Sequence, residues 1–227
     1  MRGPACAALA LALAACGGEE SAERPGATGD RAARSAAGEL AEVRRAWPVM
    51  GTLLEVVAWH PDSAAAAAAI HSARAAVTAV DSLMSNYRAD SELSLLNRRA
   101  GGAERTPVSE WTARVLAASL EWGEASGGAF DVTVGPVVDV WGFYRERGAI
   151  PAPATLDSAT SLVGHRGIDY DAAGASARLT RPGMRLDLGA IAKGFAVDRA
   201  LDALGAAGVA AAMVDLGGNV GVLGASP

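Results

Sequence analysis

The sequence predicts an α+β fold in which antiparallel sheets pack against long helices. Two segments carry apolar residues at helical spacing, an alanine-rich one from about Ala64 to Asn86 and another from about Ser109 to Ala125. Short apolar segments bounded by glycine, proline or aspartate lie before, between and after them, which is typical of strands joined by turns. With 227 residues, of which 51% are apolar, the chain can form one domain or two small ones around a large core.

The first sixteen residues have the composition of an export signal. Arg2 supplies a positive end, and residues 5–15 form an apolar run too short to anchor a protein across a bilayer. The run stops at Cys16, and Leu13-Ala14-Ala15-Cys16-Gly17 resembles the bacterial lipoprotein signal, in which the cysteine is lipidated and becomes the first mature residue. We therefore expect a chain anchored in the bacterial cell envelope, on the periplasmic or extracytoplasmic face. A plain secretory signal with an incidental cysteine is the alternative.

The segment after Cys16 predicts a flexible tether. Residues 17–46 are rich in Ala, Gly, Glu, Arg and Ser, and we expect the folded part to begin near Trp47. Apolar residues from Leu53 to Trp59 then predict a mostly buried strand, and Asp62 or Ser63 can cap the first long helix.

A polar loop follows that helix. Tyr87 offers an aromatic face and Arg88 a cation, which together can hold a ring and a phosphate, although the segment also fits a plain connection between helices. Ser91 is placed to cap a short helix, and the helix that ends at Ala125 is expected to bury Trp122 on or near its apolar side.

The glycine-containing segment after Ala125 combines several binding chemistries. Gly127 and Gly128 permit close backbone approach, Phe130 can stack on a ring and Asp131 can accept hydrogen bonds. The residues that follow, at 132 and 134, alternate as in a strand. Farther on, residues 156–163 predict a short helix, and residues 167–170 and 177–180 predict a β-hairpin.

The segment from Met184 to Asp198 predicts a strand that leads through a glycine turn into a helix. Apolar alternation ends at Leu188, and helical spacing begins near Ala190. Free N–H groups at a helix start favour an anion such as phosphate, and Lys193 adds a positive charge in the first turn. By itself this pattern also fits an ordinary turn with a solvated lysine, because it lacks a complete phosphate-binding motif. Strands are predicted next at residues 209–216 and 220–223.

Four groups of motifs, taken in order, resemble the ApbE family of bacterial FAD:protein FMN transferases, which are often exported lipoproteins. The groups are Met50-Gly51-Thr52, then Ser85-Asn86-Tyr87-Arg88 with Asn97, then Gly128-Ala129-Phe130-Asp131 with Trp141-Gly142-Phe143, and finally Leu186-Asp187-Leu188-Gly189-Ala190-Ile191-Ala192-Lys193-Gly194. The match runs from about Trp47 to Leu223. It implies a T-fold-like α+β architecture.

The resemblance also implies a reaction and a set of site residues. Family members cleave the diphosphate of FAD with Mg2+, attach FMN through its phosphate to a threonine or serine of a target protein, and release AMP. The acceptor is, by analogy, a membrane-bound electron-transfer subunit. Lys193 is the expected catalytic residue. The flavin-nucleotide positions fall on Met50, Ser85, Asn86, Tyr87, Ala129, Phe130, Asp131 and Lys193, and the metal-binding carbonyl falls on Ala190.

The same resemblance sets limits on this chain. The family continues beyond the glycine turn at residues 217–219 with further metal ligands, so we expect residues 47–227 to be an incomplete transferase domain. A formal net charge of −5 argues against a nucleic-acid partner. Three other functions stay open, namely a non-catalytic flavin-binding lipoprotein, an FAD pyrophosphate hydrolase, and a structural lipoprotein whose glycine turns are only turns.

Overall fold

The computed structural model describes residues 40–145 and 148–225, which form helices and antiparallel sheets and confirm the α+β prediction. The elements, in chain order, are β1 (Ala41–Val49), β2 (Thr52–His60), α1 (Ser63–Met84), α2 (Glu92–Arg98), β3 (Thr106–Pro107), α3 (Glu110–Ala125), α4 (Gly135–Val140), α5 (Pro153–Thr160), β4 (Ile168–Asp171), β5 (Ser176–Leu179), α6 (Ala192–Ala206), β6 (Ala211–Leu216) and β7 (Asn219–Leu223). Single 3-10 turns lie at Phe143–Arg145 and His165–Gly167.

Two sheets organise these elements. One has the strand order β1-β2-β6-β7 and the other β3-β5-β4, and neighbouring strands are antiparallel in both. Strands β1 and β2 form a hairpin whose two-residue loop is Met50-Gly51, with Val49 opposite Thr52. Both loop residues have positive φ, 51° at Met50 and 69° at Gly51, as the tightest hairpin turns require.

The long helices α1 and α6 cover the larger sheet through small side chains. The buried face of α1 consists of Ala66, Ala69, Ile70, Ala73, Val77, Val80 and Met84, and that of α6 consists of Ala192, Ala196, Val197, Ala200 and Leu204. Alanine at these positions lets helix and sheet approach closely. Helix α6 comes close to the backbone of β7 at Gly221, where a Cβ atom would lie 2.6 Å from a methyl group of Val197.

The N-terminal boundary of the fold differs from the prediction. Strand β1 begins at Ala41, so residues 41–46, which the composition assigned to the tether, belong to the larger sheet. Strand β1 pairs with β2 along its whole length, and this pairing holds the polar strand in place. Amino-acid composition alone does not predict such pairing. Cys16 and residues 17–39 lie outside the described residues. None of the helices in the described ranges is both long and apolar enough to cross a membrane.

The predicted strand ending at Leu188 is also wrong. Residues 184–188 belong to neither sheet. Within the described ranges, one parallel bridge, between Val134 and Arg185, connects them to the segment before α4. The Asp187 N–H donates to the Val132 carbonyl at 2.7 Å, so the alternation at 132 and 134 likewise belongs to this short pairing and not to a sheet strand. Helix α6 starts at Ala192, two residues later than predicted.

A smaller correction concerns α3. The side chain of Trp122 is 59% exposed, although helical spacing placed it on or near the apolar face.

Two capping predictions are confirmed. Asp62 caps α1 by accepting from the N–H groups of Ala64 and Ala65, and Ser91 caps α2 through the N–H of Ser94.

Candidate functional site

Four segments that are distant in the sequence converge on one cleft of about 620 Å3. Its walls come from the β1–β2 loop, the end of α1 with the loop after it, the region around Tyr144, and the turn into α6. A volume of this size falls in the range of sites for small organic ligands. The lining residues are Met50, Gly51, Asp81, Met84, Ser85, Asn86, Tyr87, Arg88, Val138, Tyr144, Asp187, Gly189, Ala192 and Lys193.

Met50 enters this cleft from a strained backbone position. Its φ of 51° lies in the left-handed region, which methionine rarely occupies and which costs on the order of 1 kcal/mol. The hairpin forces this conformation, because β1 and β2 pair up to Val49 and Thr52 and leave only two residues for the turn. The strained turn presents the Met50 side chain to the cleft.

The end of α1 supplies the next group of side chains. Ser85 follows the last turn of the helix, and its Oγ accepts a hydrogen bond from the Tyr87 N–H at 3.1 Å. Tyr87 is 72% exposed, so its ring face is open to a ligand. Asn86 points inward instead and donates from Nδ2 to the Leu186 carbonyl at 3.2 Å. It therefore positions the segment before α6.

Asn97 completes this inward contact. Its Oδ1 accepts from the Leu186 N–H at 2.7 Å, and its Nδ2 donates to the Leu186 carbonyl and to Asn86 Oδ1, each at 3.1 Å. The two amide side chains thus hold both polar groups of the Leu186 backbone. Because Asp187 is the next residue, this contact fixes where its carboxylate enters the cleft.

Asp187 lies at the centre of a hydrogen-bonded group in the cleft. Its Oδ1 accepts from the Gly189 N–H at 2.7 Å, and its Oδ2 accepts from the Tyr144 hydroxyl at 2.6 Å. The guanidinium of Arg185 stacks on the Tyr144 ring, 4.1 Å from its centroid. Burial first, and then the hydrogen bond to Asp187, raise the pKa of Tyr144 far above its ordinary value.

Two cations and one further carboxylate line the cleft. Lys193 is the only lysine in the sequence, and among the described residues it has no carboxylate within ion-pair distance. Arg88 pairs with Asp90 at 3.0 Å, in an exposed pair of little stabilising value. Burial raises the pKa of Asp81, and the nearby charge of Arg88 partly offsets this effect. Lys193 and Arg88 are therefore the cationic side chains that line the cleft.

The structure divides the residues predicted to bind flavin into two sets. Met50, Ser85, Asn86, Tyr87 and Lys193 share the cleft, whereas Ala129, Phe130 and Asp131 are not among the residues that line it.

Asp131 makes internal bonds. It accepts from the N–H and hydroxyl of Thr133 and, at 2.7 Å, from the N–H of His165, and its side chain is 6% exposed. Flavin binding at Ala129, Phe130 and Asp131 stays a prediction.

Ala190 faces a different depression. It lines a smaller cleft of about 350 Å3 between α3 and the start of α6, on the other side of the turn from Lys193. The described residues contain no group of three or more His, Cys, Asp or Glu side chains that could hold a metal ion. One carbonyl does not satisfy Mg2+, which prefers octahedral oxygen coordination. The residues described here therefore do not by themselves form a magnesium site, and metal binding at Ala190 stays a prediction.

Comparison with known proteins identifies the family. The profile of the ApbE family matches residues 50–227. This chain belongs to the ApbE family. A relative from Treponema pallidum, named FAD:protein FMN transferase, is 36% identical over 192 residues, which are 81% of this chain and 52% of that protein. A Haemophilus influenzae protein of the same name is 37% identical over 145 residues, 62% of this chain and 42% of that protein.

Solved structures of ApbE proteins share the fold. The flavin transferase ApbE from Vibrio cholerae is 30% identical with a TM-score of 0.73, over 82% of this chain and 60% of that one. The flavinyl transferase ApbE from Pseudomonas stutzeri, in its apo form, is 28% identical with a TM-score of 0.75, over 83% and 63%. The chain spans about half the length of the curated relatives it matches.

Sequence reasoning missed three residues that the cleft brings together. For Asp187 the local sequence did contain an indication of a functional role. It is a charged residue between Leu186 and Leu188, and a carboxylate in such an apolar segment requires hydrogen-bond or charged partners. For Asp81 and Tyr144 the local sequence contained no such indication. Their place in the cleft depends on how the end of α1 and the turn after α4 pack against the segment from Arg185 to Gly189.

Proposed function

We propose that this chain forms the flavin-nucleotide site of an FAD:protein FMN transferase. In the proposed reaction a threonine or serine hydroxyl of a target protein attacks the phosphorus of FAD that carries the riboflavin. The diphosphate bond breaks, AMP leaves with the bridging oxygen, FMN becomes attached through a phosphoester, and the proton of the hydroxyl is released to solvent. Mg2+ is part of the proposal through the family resemblance.

One observation carries the proposal. Residues from the β1–β2 loop, the end of α1 and the start of α6, which the family resemblance assigned to flavin-nucleotide binding, line one cleft. The residues of that cleft suit the two halves of the ligand. Tyr87 exposes a ring face on which flavin or adenine can stack. Lys193 and Arg88 supply positive charge for the phosphates.

Lys193 is the residue we assign to the chemical step. Charge develops on the departing phosphate, and a nearby ammonium stabilises it more in the transition state than in the ground state. The sequence has arginine at every other position with a permanent positive charge, so a lysine at this one position provides a compact ammonium in the cleft.

The decisive assay combines the chain with FAD, Mg2+ and a threonine-bearing acceptor peptide, and measures peptide-bound flavin and AMP in equal amounts. The same peptide with alanine in place of threonine is the control. In Lys193→Ala we expect the transfer rate to fall by about 100-fold or more with little change in the thermal midpoint. Lys193→Arg keeps the charge and is the matched variant. Unchanged transfer in Lys193→Ala would remove this residue from the mechanism.

The single lysine allows a second test of the site. Amine-directed acylation followed by mass spectrometry reports on Lys193 without interference from any other side chain. We expect FAD to protect Lys193 from acylation, and riboflavin, which lacks phosphate, to protect it less. Equal acylation with and without FAD would place the phosphates away from Lys193.

The same assays separate the other functions. AMP release without peptide labelling would indicate an FAD pyrophosphate hydrolase. FAD binding without AMP release would indicate a flavin-binding protein without catalysis, which the lack of a metal-ligand cluster among the described residues favours. No flavin binding at all would leave a structural lipoprotein.

The anchor and the acceptor belong to the same proposal. We propose that Cys16 is lipidated and holds the chain on the periplasmic or extracytoplasmic face of the cell envelope, where it modifies a membrane-bound electron-transfer subunit. Metabolic labelling with an alkyne fatty acid tests the anchor. Cys16→Ser should lose the label and Cys6→Ser should keep it, because these are the two cysteines of the sequence. A labelled Cys16→Ser variant would contradict the assignment.

A further inference from the structure

Tyr144 occupies a central position in the cleft that neither its sequence motif nor the proposed reaction explains. It lies in the 3-10 turn Phe143–Arg145, just after α4. Gly142 has a φ of 76°, a left-handed conformation that ends α4 and turns the chain back towards the cleft. The turn brings the Tyr144 hydroxyl to Asp187, which is 43 residues away in the sequence.

The hydroxyl of Tyr144 restrains the carboxylate of Asp187. One oxygen of that carboxylate is held at 2.7 Å by the Gly189 N–H and the other at 2.6 Å by Tyr144. With both oxygens held, rotation of the carboxylate is restricted. Each oxygen has a second lone pair, so the carboxylate can still accept a hydrogen bond from a ligand in the cleft.

The ring of Tyr144 has a separate set of contacts. Arg185 covers one face at 4.1 Å from the centroid, and the exposed ring of Tyr87 meets it in an edge-to-face arrangement with centroids 6.1 Å apart. Edge-to-face aromatic pairs favour a defined mutual orientation. Tyr144 therefore orients the ring of Tyr87, whose open face is available for stacking.

The protonation state of Tyr144 decides which role its hydroxyl can have. Burial and the hydrogen bond to Asp187 raise the pKa of Tyr144 far above neutral pH. The hydroxyl therefore remains protonated and acts as a hydrogen-bond donor. It does not act as a base.

We propose that Tyr144 is a positioning residue for the flavin nucleotide. Its hydroxyl aims Asp187 at an N–H or O–H group of the ligand, and its ring orients Tyr87 against the ligand's aromatic system. The inference rests on the proposed function, since it requires FAD to occupy this cleft.

Two substitutions in the full chain separate the two contacts. Tyr144→Phe removes the hydroxyl and keeps the ring, whereas Tyr144→Leu removes both. Tyr170→Phe makes the same chemical change in β4, outside the residues that line the cleft, and is the matched control. FAD affinity and the quenching of flavin fluorescence by a stacked tyrosine are measured first, followed by KM and kcat for FMN transfer.

We expect Tyr144→Phe to weaken FAD binding about 10-fold, the lower end for loss of a hydrogen bond to a charged group, while quenching stays unchanged. KM for FAD should rise by a similar factor with kcat within about twofold, as for lost ground-state binding. Tyr144→Leu should weaken binding further and reduce the quenching. Tyr170→Phe should match the wild type.

The outcomes distinguish this inference from the proposed function. If wild type transfers FMN and both Tyr144 variants bind FAD with wild-type affinity and quenching, the positioning role is wrong and the transferase proposal stands. The role is also wrong if the variants only lower the thermal midpoint. If wild type binds FAD and the variants change FAD affinity and flavin quenching as expected but no FMN is transferred, the positioning role stands and the transferase proposal fails. If wild type does not bind FAD, both fail.

Discussion

Replacing Asn97 by alanine tests the central structural argument, that two amide side chains fix the segment leading into the cleft. The side chain of Asn97 makes three hydrogen bonds within the described residues, to the N–H and carbonyl of Leu186 and to Asn86 Oδ1, at 2.7, 3.1 and 3.1 Å. Leu186 itself is 0% exposed, so water cannot easily replace these partners. Asn86 still reaches the carbonyl in the variant, but the N–H loses its bond to Asn97.

The expected cost follows from these contacts. A buried N–H without a partner costs about 1–3 kcal/mol, and each other lost hydrogen bond costs about 0.5–1.5 kcal/mol. We therefore expect Asn97→Ala to lower the free energy of unfolding by about 3 kcal/mol. For a domain of this size that corresponds to a fall in the thermal midpoint of about 6–12 °C.

Urea unfolding of four proteins measures this cost and its origin: the wild type, Asn97→Ala, Asn86→Ala and the double variant. Because the two amides bond to each other and to one backbone carbonyl, their effects should be non-additive by about 0.5–1.5 kcal/mol. Asn219→Ala is the control, since Asn219 makes one long bond of 3.3 Å to Leu216 and should cost about 1 kcal/mol or less. A loss below about 0.5 kcal/mol in Asn97→Ala, or additive single effects, would refute the reasoning.

Two further predictions concern stability. Gly135→Ala should lower the free energy of unfolding by about 1–3 kcal/mol in urea titration, because its Cβ would lie 2.6 Å from the Arg185 carbonyl. Gly194→Ala, in α6 with nothing within 4 Å, should be neutral or stabilising, and an equal loss in both would contradict the steric explanation. Hydrogen bonds from Arg105 and Arg178 lower the pKa of Asp169 below its ordinary value of 3.8. The stability that the ionised Asp169 side chain contributes to the fold is therefore present above pH 3.8 and is lost as the pH falls through the lowered pKa. The stability gap between wild type and Asp169→Asn should therefore shrink on acidification in chemical denaturation, and a gap independent of pH would exclude the ionic origin.

The sequence by itself determined the local elements and the family motifs. Helical spacing and capping residues such as Asp62 and Ser91 located α1 and α2, because a cap acts on N–H groups two or three residues away. The motif order identified the ApbE resemblance. Met50, the Ser85–Tyr87 segment and Lys193, which that resemblance assigned to flavin-nucleotide binding, line one cleft.

Only the tertiary structure decided which elements pair and which side chains meet. Composition assigned residues 41–46 to a tether, yet they form part of β1 because β2 supplies partners for their backbone. Asp131 accepts hydrogen bonds from Thr133 and His165, and Asp187 accepts one from Tyr144 across 43 residues of sequence. Strand pairing and buried hydrogen bonds between distant residues depend on the packed arrangement of the whole chain, and periodicity within a short window carries no information about it.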